Sequence, residues 1–229
     1  YLPEDWVGQT VTLRFEGVDS AYHVWINGKE AGFSKGSRNA AEFNITDLLS
    51  PGENIIAVRV YQFSDGSYFE SQDMWWLSVI FRDVYLIATP KVRLYDLTLR
   101  TDLDDRYEDA TLNLQLKLRN DGSRAADGAQ VEALLLDGEG KPVFKKVLCA
   151  SVNIGAKDEV SIDLKEAVRA PRKWSAEDPY LYTLLISVKN AKGKITEVIP
   201  HAVGFRKVEI KNAQFLINGV PVMIKGVNR

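Results

Sequence analysis

The residues best suited to chemistry are gathered in one stretch: Asp65-Gly66-Ser67-Tyr68-Phe69-Glu70-Ser71-Gln72-Asp73-Met74-Trp75-Trp76. It holds three carboxylates and four aromatic rings in twelve residues. An ionised carboxylate accepts several hydroxyl hydrogen bonds, and a flat ring covers the apolar face of a sugar. The same oxygens are hard ligands for Na⁺, Mg²⁺ or Ca²⁺. The stretch has no sustained alternation and reads as a structured loop. On composition alone a plainer alternative has more weight: Asp65-Gly66 is a turn, and the aromatics pack against a core.

Other chemistry finds less support. His23 lies in a strand segment beside Trp25, and His201 lies in a late strand segment. With no serine or cysteine nucleophile near either, a triad has no basis, and both read as structural histidines. Lys35-Gly36-Ser37 lacks the preceding glycine of a phosphate loop. The chain has 31 acidic residues, but none pair by sequence as the acid and nucleophile of a glycosidase.

The elements that must position the loop are strands. Val11, Leu13 and Phe15 alternate with polar residues, as in a half-buried strand. Tyr22 to Ile26 is a second strand, followed by Asn27-Gly28, the dipeptide of a type I′ hairpin. Thr46 to Leu49 fits one helical turn capped by Thr46. Pro51 to Asn54 is a turn, Ile55 to Tyr61 a strand, and Val84 to Ala88 a buried strand. A change comes near Thr89-Pro90. Beyond it Leu112, Leu114, Leu116 and Leu118 recur every two residues, which excludes a helix over Thr111 to Arg119. Turn signals at Asp121-Gly122, Asp137 to Gly140 and Asn190 to Gly193 separate short strands, the spacing of an immunoglobulin-like sandwich. Asn218-Gly219 marks another hairpin, between Phe215-Leu216-Ile217 and Val220 to Ile224.

Composition narrows the class. The chain has 229 residues, 45% apolar and 26% charged, with a formal net charge of −2. These values describe an ordinary soluble balance in one large domain or two small ones. The absence of a Lys/Arg block argues against a nucleic-acid or anionic-membrane partner. No apolar run approaches a membrane helix. A lone Cys149 forms no internal disulfide. The first residues, Tyr1 to Trp6, show no signal peptide, and the compartment stays unknown.

Taken together, these segments resemble glycoside hydrolase family 2, in particular its bacterial lactose-cleaving β-galactosidases. The resemblance is carried by Phe15 to Gly28, Asp65-Gly66-Ser67-Tyr68, Gln72-Asp73-Met74-Trp75 and Ile80-Phe81-Arg82-Asp83-Val84. It continues through Lys173 to Glu177, Pro179 to Tyr182, Val203-Gly204-Phe205-Arg206, and Lys225 to Arg229, in the family's order. It implies an all-β chain: a truncated jelly-roll sugar-binding domain over 1–90, then an immunoglobulin-like β-sandwich over 91–207. Residues 208–229 would lead into a (β/α)₈ catalytic barrel. Both catalytic glutamates of the family belong to that barrel, so the fragment is expected to lack them and to begin inside the jelly roll. An open jelly roll would expose apolar edges and tend to pair with another copy.

The resemblance also assigns roles. Asp73 matches the aspartate that binds galactose hydroxyls and a sodium ion, and this raises the functional reading above the packing one for that residue. For Tyr68, Trp75 and Trp76 packing stays the expectation. Asp65 matches a carboxylate that helps hold a structural magnesium ion in some members. A glutamine partner of that ion is replaced here by Lys35, so the ammonium is expected to pair with Asp65 in place of the cation. Val79 stands where the family usually has glycine, a costly change if that position needs positive φ. The implied parent is a homo-oligomeric retaining β-galactosidase using Mg²⁺ and Na⁺ and acting on β-galactosides. A β-glucuronidase or β-mannosidase of the same family, a stand-alone carbohydrate-binding module and an assembly scaffold remain the alternatives.

Overall fold

A computed structural model describes residues 1–70, 75 and 77–228. The chain divides into two compact units, Tyr1–Pro90 and Lys91–Arg229.

The first unit contains two three-stranded antiparallel sheets. Strands β1 (Thr10–Phe15), β2 (Ala21–Ile26), β3 (Lys29–Lys35), β4 (Ala41–Asn44), β5 (Ile56–Tyr61) and β6 (Val84–Thr89) are arranged as β4-β1-β6 and β3-β2-β5. Alternation explains the pairing of faces. Val11, Leu13 and Phe15 of β1 are buried with Tyr22, Val24 and Ile26 of β2. Phe15, Tyr22 and Phe43 meet at tilted or edge-on angles, with ring centroids 5.0–6.1 Å apart, the geometry aromatic quadrupoles favour. The β2–β3 hairpin turns on Asn27 and Gly28 with φ of 52° and 77°, as a type I′ turn requires.

Three local expectations are corrected. The turn at Thr46–Leu48 is 3₁₀, and Thr46 is its first residue, not its cap. Its hydroxyl accepts the Val11 N–H at 2.9 Å and donates to Asn44 Oδ1 at 2.6 Å. Strand β6 is apolar yet largely exposed over Val84 to Ile87. Among the described residues it pairs with β1 alone, at the edge of its sheet, so its composition signalled strand without burial. The segment read as a loop begins with a one-turn helix, α1 (Asp65–Phe69).

In the second unit, β7 (Val92–Leu103), β8 (Ala110–Asn120), β9 (Ala126–Leu136), β10 (Leu148–Ile154), β11 (Glu159–Val168), β12 (Tyr182–Lys189) and β13 (Ile195–Val203) form two sheets, β10-β9-β12-β13 and β11-β8-β7. Leu112, Leu114, Leu116 and Leu118 point one way from β8 into a core shared with Val131, Ala133 and Leu135 of β9 and Leu184, Ile186 and Val188 of β12. This is the two-sheet sandwich expected of seven strands. Leucines at every second position supply its buried layer.

A small sheet follows, β14 (Val208–Lys211), β15 (Gln214–Ile217) and β16 (Val220–Pro221). The last strand is shorter than the sequence suggests. The Asn218-Gly219 turn has φ of 52° and 78°. A side chain at Gly219 would stand 2.6 Å from the Tyr107 ring, so glycine is required there twice over. The Tyr107 hydroxyl donates to Glu209, and Asn218 Nδ2 donates to the Trp174 carbonyl at 3.0 Å. These bonds tie the small sheet to the sandwich within one unit.

Candidate functional site

The site is built around α1 and the two ends of the segment that follows it. Ser64 caps α1 reciprocally with Ser67: its side chain accepts the Ser67 N–H, and Ser67 Oγ accepts the Ser64 N–H at 3.0 Å. Such a box satisfies two helix-end donors. Ser20 anchors the cap, its hydroxyl lying 3.0 Å from Ser64 Oγ and 3.2 Å from the Tyr61 carbonyl. Ser67 is the residue that α1 buries. Tyr68 and Phe69 consequently point outward, with Tyr68 85% exposed. Trp75 is 84% exposed. The packing expectation therefore fails for Tyr68, because one helical turn held by serines offers no apolar layer to cover it, and Trp75 is exposed as well. Trp76 lies outside the described residues.

Asp65 opens α1 and meets Lys35 at the end of β3, with Nζ to Oδ2 at 2.6 Å. Both side chains are more than half exposed. The Lys35 ammonium, with help from the Gly66 N–H, holds the Asp65 carboxyl below its ordinary range. The pairing expected from the sequence is present. Among the described residues no group of three or more His, Cys, Asp or Glu side chains is placed to hold a metal. A protonated amine cannot ligate one, so the donors around Asp65 do not fit a divalent ion.

Glu70 closes α1. Its carboxylate accepts the Ser37 N–H at 3.1 and 3.3 Å, and Ser37 Oγ lies 2.5 Å from Glu70 Oε2. Ser37 is 2% exposed. Its hydroxyl is also 3.2 Å from Asp19 Oδ1, and Arg38 Nη1 stands 3.9 Å from Asp19 Oδ2. Two carboxylates thus converge on one serine, a juxtaposition that sequence reasoning missed. Glu70 and Asp19 lie 33 and 18 residues from Ser37, and no local pattern links them.

From Val79 to Asp83 the chain runs beside Glu16–Asp19. The Asp19 N–H donates to the Val79 carbonyl at 3.1 Å, Val18 bridges Ile80, and the Glu16 N–H donates to Asp83 at 3.0 Å. Val79 does not have positive φ, so the valine is accommodated without strain. Arg82 Nη1 donates to the carbonyls of Glu16 at 3.2 Å and Arg38 at 2.9 Å. The guanidinium groups of Arg38 and Arg82 lie 4.9 and 5.2 Å from the centroid of the Phe81 ring. A side chain at Gly17 would come within 2.8 Å of the Phe81 ring, which explains glycine in Glu16-Gly17-Val18. Asp19, Arg38, Trp75, Leu77, Val79 and Phe81 line an open cleft of about 510 Å³. Asp73, the carboxylate assigned to sugar and sodium by resemblance, lies outside the described residues.

Two sequence patterns match the chain. Residues 1–90 match the sugar binding domain of glycosyl hydrolases family 2, and residues 92–206 match a further domain of glycosyl hydrolases family 2. The chain belongs to glycoside hydrolase family 2. Within this family it is 44% identical over 225 residues to the β-galactosidase of Priestia megaterium, covering 98% of the chain and 22% of that protein. It is 37% identical to the β-galactosidase of Kluyveromyces lactis, over 95% of the chain and 22% of that protein. The chain therefore spans about a fifth of these curated relatives.

Among solved structures, Bacteroides uniformis β-glucuronidase superposes with a TM-score of 0.87 at 25% identity. The match covers 99% of this chain and 28% of that one. A β-glycosidase from Bacteroides vulgatus superposes with a TM-score of 0.77 at 26% identity, over 99% and 27%. The all-β order of a sugar-binding domain followed by an immunoglobulin-like sandwich is thus the family 2 arrangement.

Proposed function

We propose that the chain is the non-catalytic sugar-binding and immunoglobulin-like portion of a retaining β-galactosidase that hydrolyses terminal β-D-galactosides. The observation that supports this best is 44% identity to a β-galactosidase along almost the whole chain. The β-glucuronidase reading is supported by shape at 25% identity, a weaker guide to substrate than to fold. In the full-length enzyme two glutamates of a barrel would do the chemistry. One protonates the leaving glycosidic oxygen and the other forms the galactosyl-enzyme. Residues 208–229 would lead into that barrel.

In this reading Asp73 accepts hydrogen bonds from galactose hydroxyls. A sodium ion, when bound, would supply a positive charge beside that carboxylate. The magnesium requirement of the parent would be met elsewhere than at Asp65. The parent would assemble as a homo-oligomer. The deciding experiment is hydrolysis of a chromogenic β-galactoside by this chain and by the same chain extended through the barrel. Turnover only by the extended protein supports the reading. Turnover by the 229-residue chain would overturn the claim that it is non-catalytic, and hydrolysis of β-glucuronides in preference to β-galactosides would overturn the substrate.

Lys35 gives a separate expectation. If its ammonium stands in for a divalent ion, neither EDTA nor Mg²⁺ will move the Tm of this chain. Lys35→Gln frees the Asp65 carboxylate and supplies a neutral oxygen ligand, so Mg²⁺ should then raise Tm in a saturable way. Tight divalent binding by the parental chain, abolished by Asp65→Ala, would refute the substitution.

A further inference from the structure

The core of the first unit is open along one side. Residues directly opposed in an antiparallel pair point to the same face of the sheet. Leu86 and Val84 of β6 stand opposite Leu13 and Phe15 of β1, and Ile56 of β5 stands opposite Ile26 of β2. Leu13, Phe15 and Ile26 are buried. Leu86, Val84 and Ile56 face the same core yet are 46%, 43% and 42% exposed. Ile56 and Leu86 line one narrow cavity of about 100 Å³. The apolar layer therefore reaches water between the edge strands β5 and β6.

The edge itself is unguarded. An edge strand presents unpaired backbone N–H and C=O groups, and charge or proline on the strand discourages another chain from pairing with it. In the same unit β4 carries Glu42, β3 carries Lys35 and β5 carries Arg59. In the second unit the edge strand β13 holds Glu197 and Pro200. Edge strand β10 is uncharged, but the side chains it exposes are those of Cys149, Ser151 and Asn153. Strand β6 reads Val84-Tyr85-Leu86-Ile87-Ala88-Thr89, with no charge and no proline, and exposes four large apolar side chains in a row.

We propose that β6 is a self-association edge, at which two copies of this chain pair antiparallel about a two-fold axis and join their β4-β1-β6 sheets into one continuous sheet. A second copy suits this strand because an uncharged run brings no like charges together when it meets itself, and it offers a charged partner strand nothing to pair with. The two-fold keeps the inner faces of both copies on one side, so inward-facing residues oppose inward-facing ones. With the axis at Leu86, that residue meets the partner's Leu86, Val84 meets the partner's Ala88, and Tyr85 meets the partner's Ile87. The last is an aromatic–β-branched pair of the kind that stabilises sheets. The partner's Leu86 and Val84 then extend the inner apolar layer along the open side.

The test is sedimentation velocity of the 229-residue chain over a wide concentration range. The parental chain should show a monomer–dimer equilibrium. Leu86→Lys places two ammonium groups opposite each other at the axis and should weaken that equilibrium roughly 10-fold or more, with the far-UV circular dichroism unchanged. If Leu86→Lys does not fold, Ile87→Lys takes its place, because Ile87 points to the outer face. A thiol reads the register. In a Cys149→Ser background, Leu86→Cys should give a disulfide-linked dimer on mild oxidation, since opposed residues of an antiparallel pair lie within disulfide reach. Ile195→Cys, exposed on β13, should not. A monomer at every concentration would overturn the proposal and leave the edge to a different partner. A dimer that survives the folded lysine variant, or that crosslinks as readily through Ile195→Cys, would place the interface elsewhere and overturn it too.

Discussion

Phe205→Ala is expected to destabilise the Lys91–Arg229 unit by about 3–5 kcal/mol, the range for emptying a fully buried phenylalanine site. Phe205 is 0% exposed. It meets Tyr182 edge-on at 5.1 Å, and Tyr182 meets Tyr180 in the same way at 5.0 Å. Such pairs add about 0.5–1.5 kcal/mol beyond area burial. Backbone bonds hold the ring in place: the Phe205 carbonyl accepts the Trp174 N–H at 2.9 Å, and the Gly204 carbonyl accepts Thr101 Oγ1 at 3.0 Å. The cavity therefore cannot collapse by a simple backbone shift, and the loss should lie at the upper part of the range. Urea denaturation followed by near-UV circular dichroism measures it. Ile210→Ala is the control, because that side chain is 80% exposed and should change stability by no more than about 0.5 kcal/mol. A Phe205→Ala midpoint equal to the control would show that the aromatic row is not part of the core.

The sandwich was legible because its signals are local. Leu112 to Leu118 alternate in the sequence, and β8 buries those four leucines at every second position. Asn27-Gly28 and Asn218-Gly219 announced their hairpins because few other dipeptides tolerate two consecutive positive φ values. The turn joining β14 to β15 was missed for the same reason. It places Asn212 and Ala213 at φ of 52° and 58°, and alanine gives no warning of that conformation. Helix α1 was missed because Gly66 weakens its propensity and its capping box has serine at the third position instead of Glu or Gln.

The site was legible in a different way. The Lys35–Asp65 pair followed from a resemblance and then from charge: a lysine placed where a metal partner stood could only pair with the remaining carboxylate. The convergence of Asp19 and Glu70 on Ser37 had no such route. It depends on three chain segments meeting at the end of a sheet, and the residues involved are common surface types. Tyr68 and Trp75 show the converse error. Aromatic character suggested packing, but exposure is decided by whether an apolar layer faces the ring, which composition does not encode.

Asp73→Ala is expected to have the largest effect on activity in the full-length enzyme. A carboxylate that accepts two sugar hydroxyls makes two charge-assisted hydrogen bonds, each contributing about 1.5–3 kcal/mol. Losing both should lower kcat/KM by roughly 10²-fold or more. If those hydroxyls are held equally in the ground and transition states, the loss falls on KM; if the contacts tighten as the oxocarbenium character develops, kcat falls too. Asp73→Asn separates shape from charge, because it keeps one acceptor oxygen and should lie between parent and alanine. A carboxylate that also ligates sodium adds a further signature: activity of the parent should rise with Na⁺ at constant ionic strength, and that dependence should flatten in Asp73→Ala. Asp65→Ala is the matched control, since an exposed carboxylate paired to an exposed lysine has no reason to change either KM or the sodium response. Equal losses in the two variants would mean that general disturbance of the α1 region, not a specific sugar contact, sets the effect.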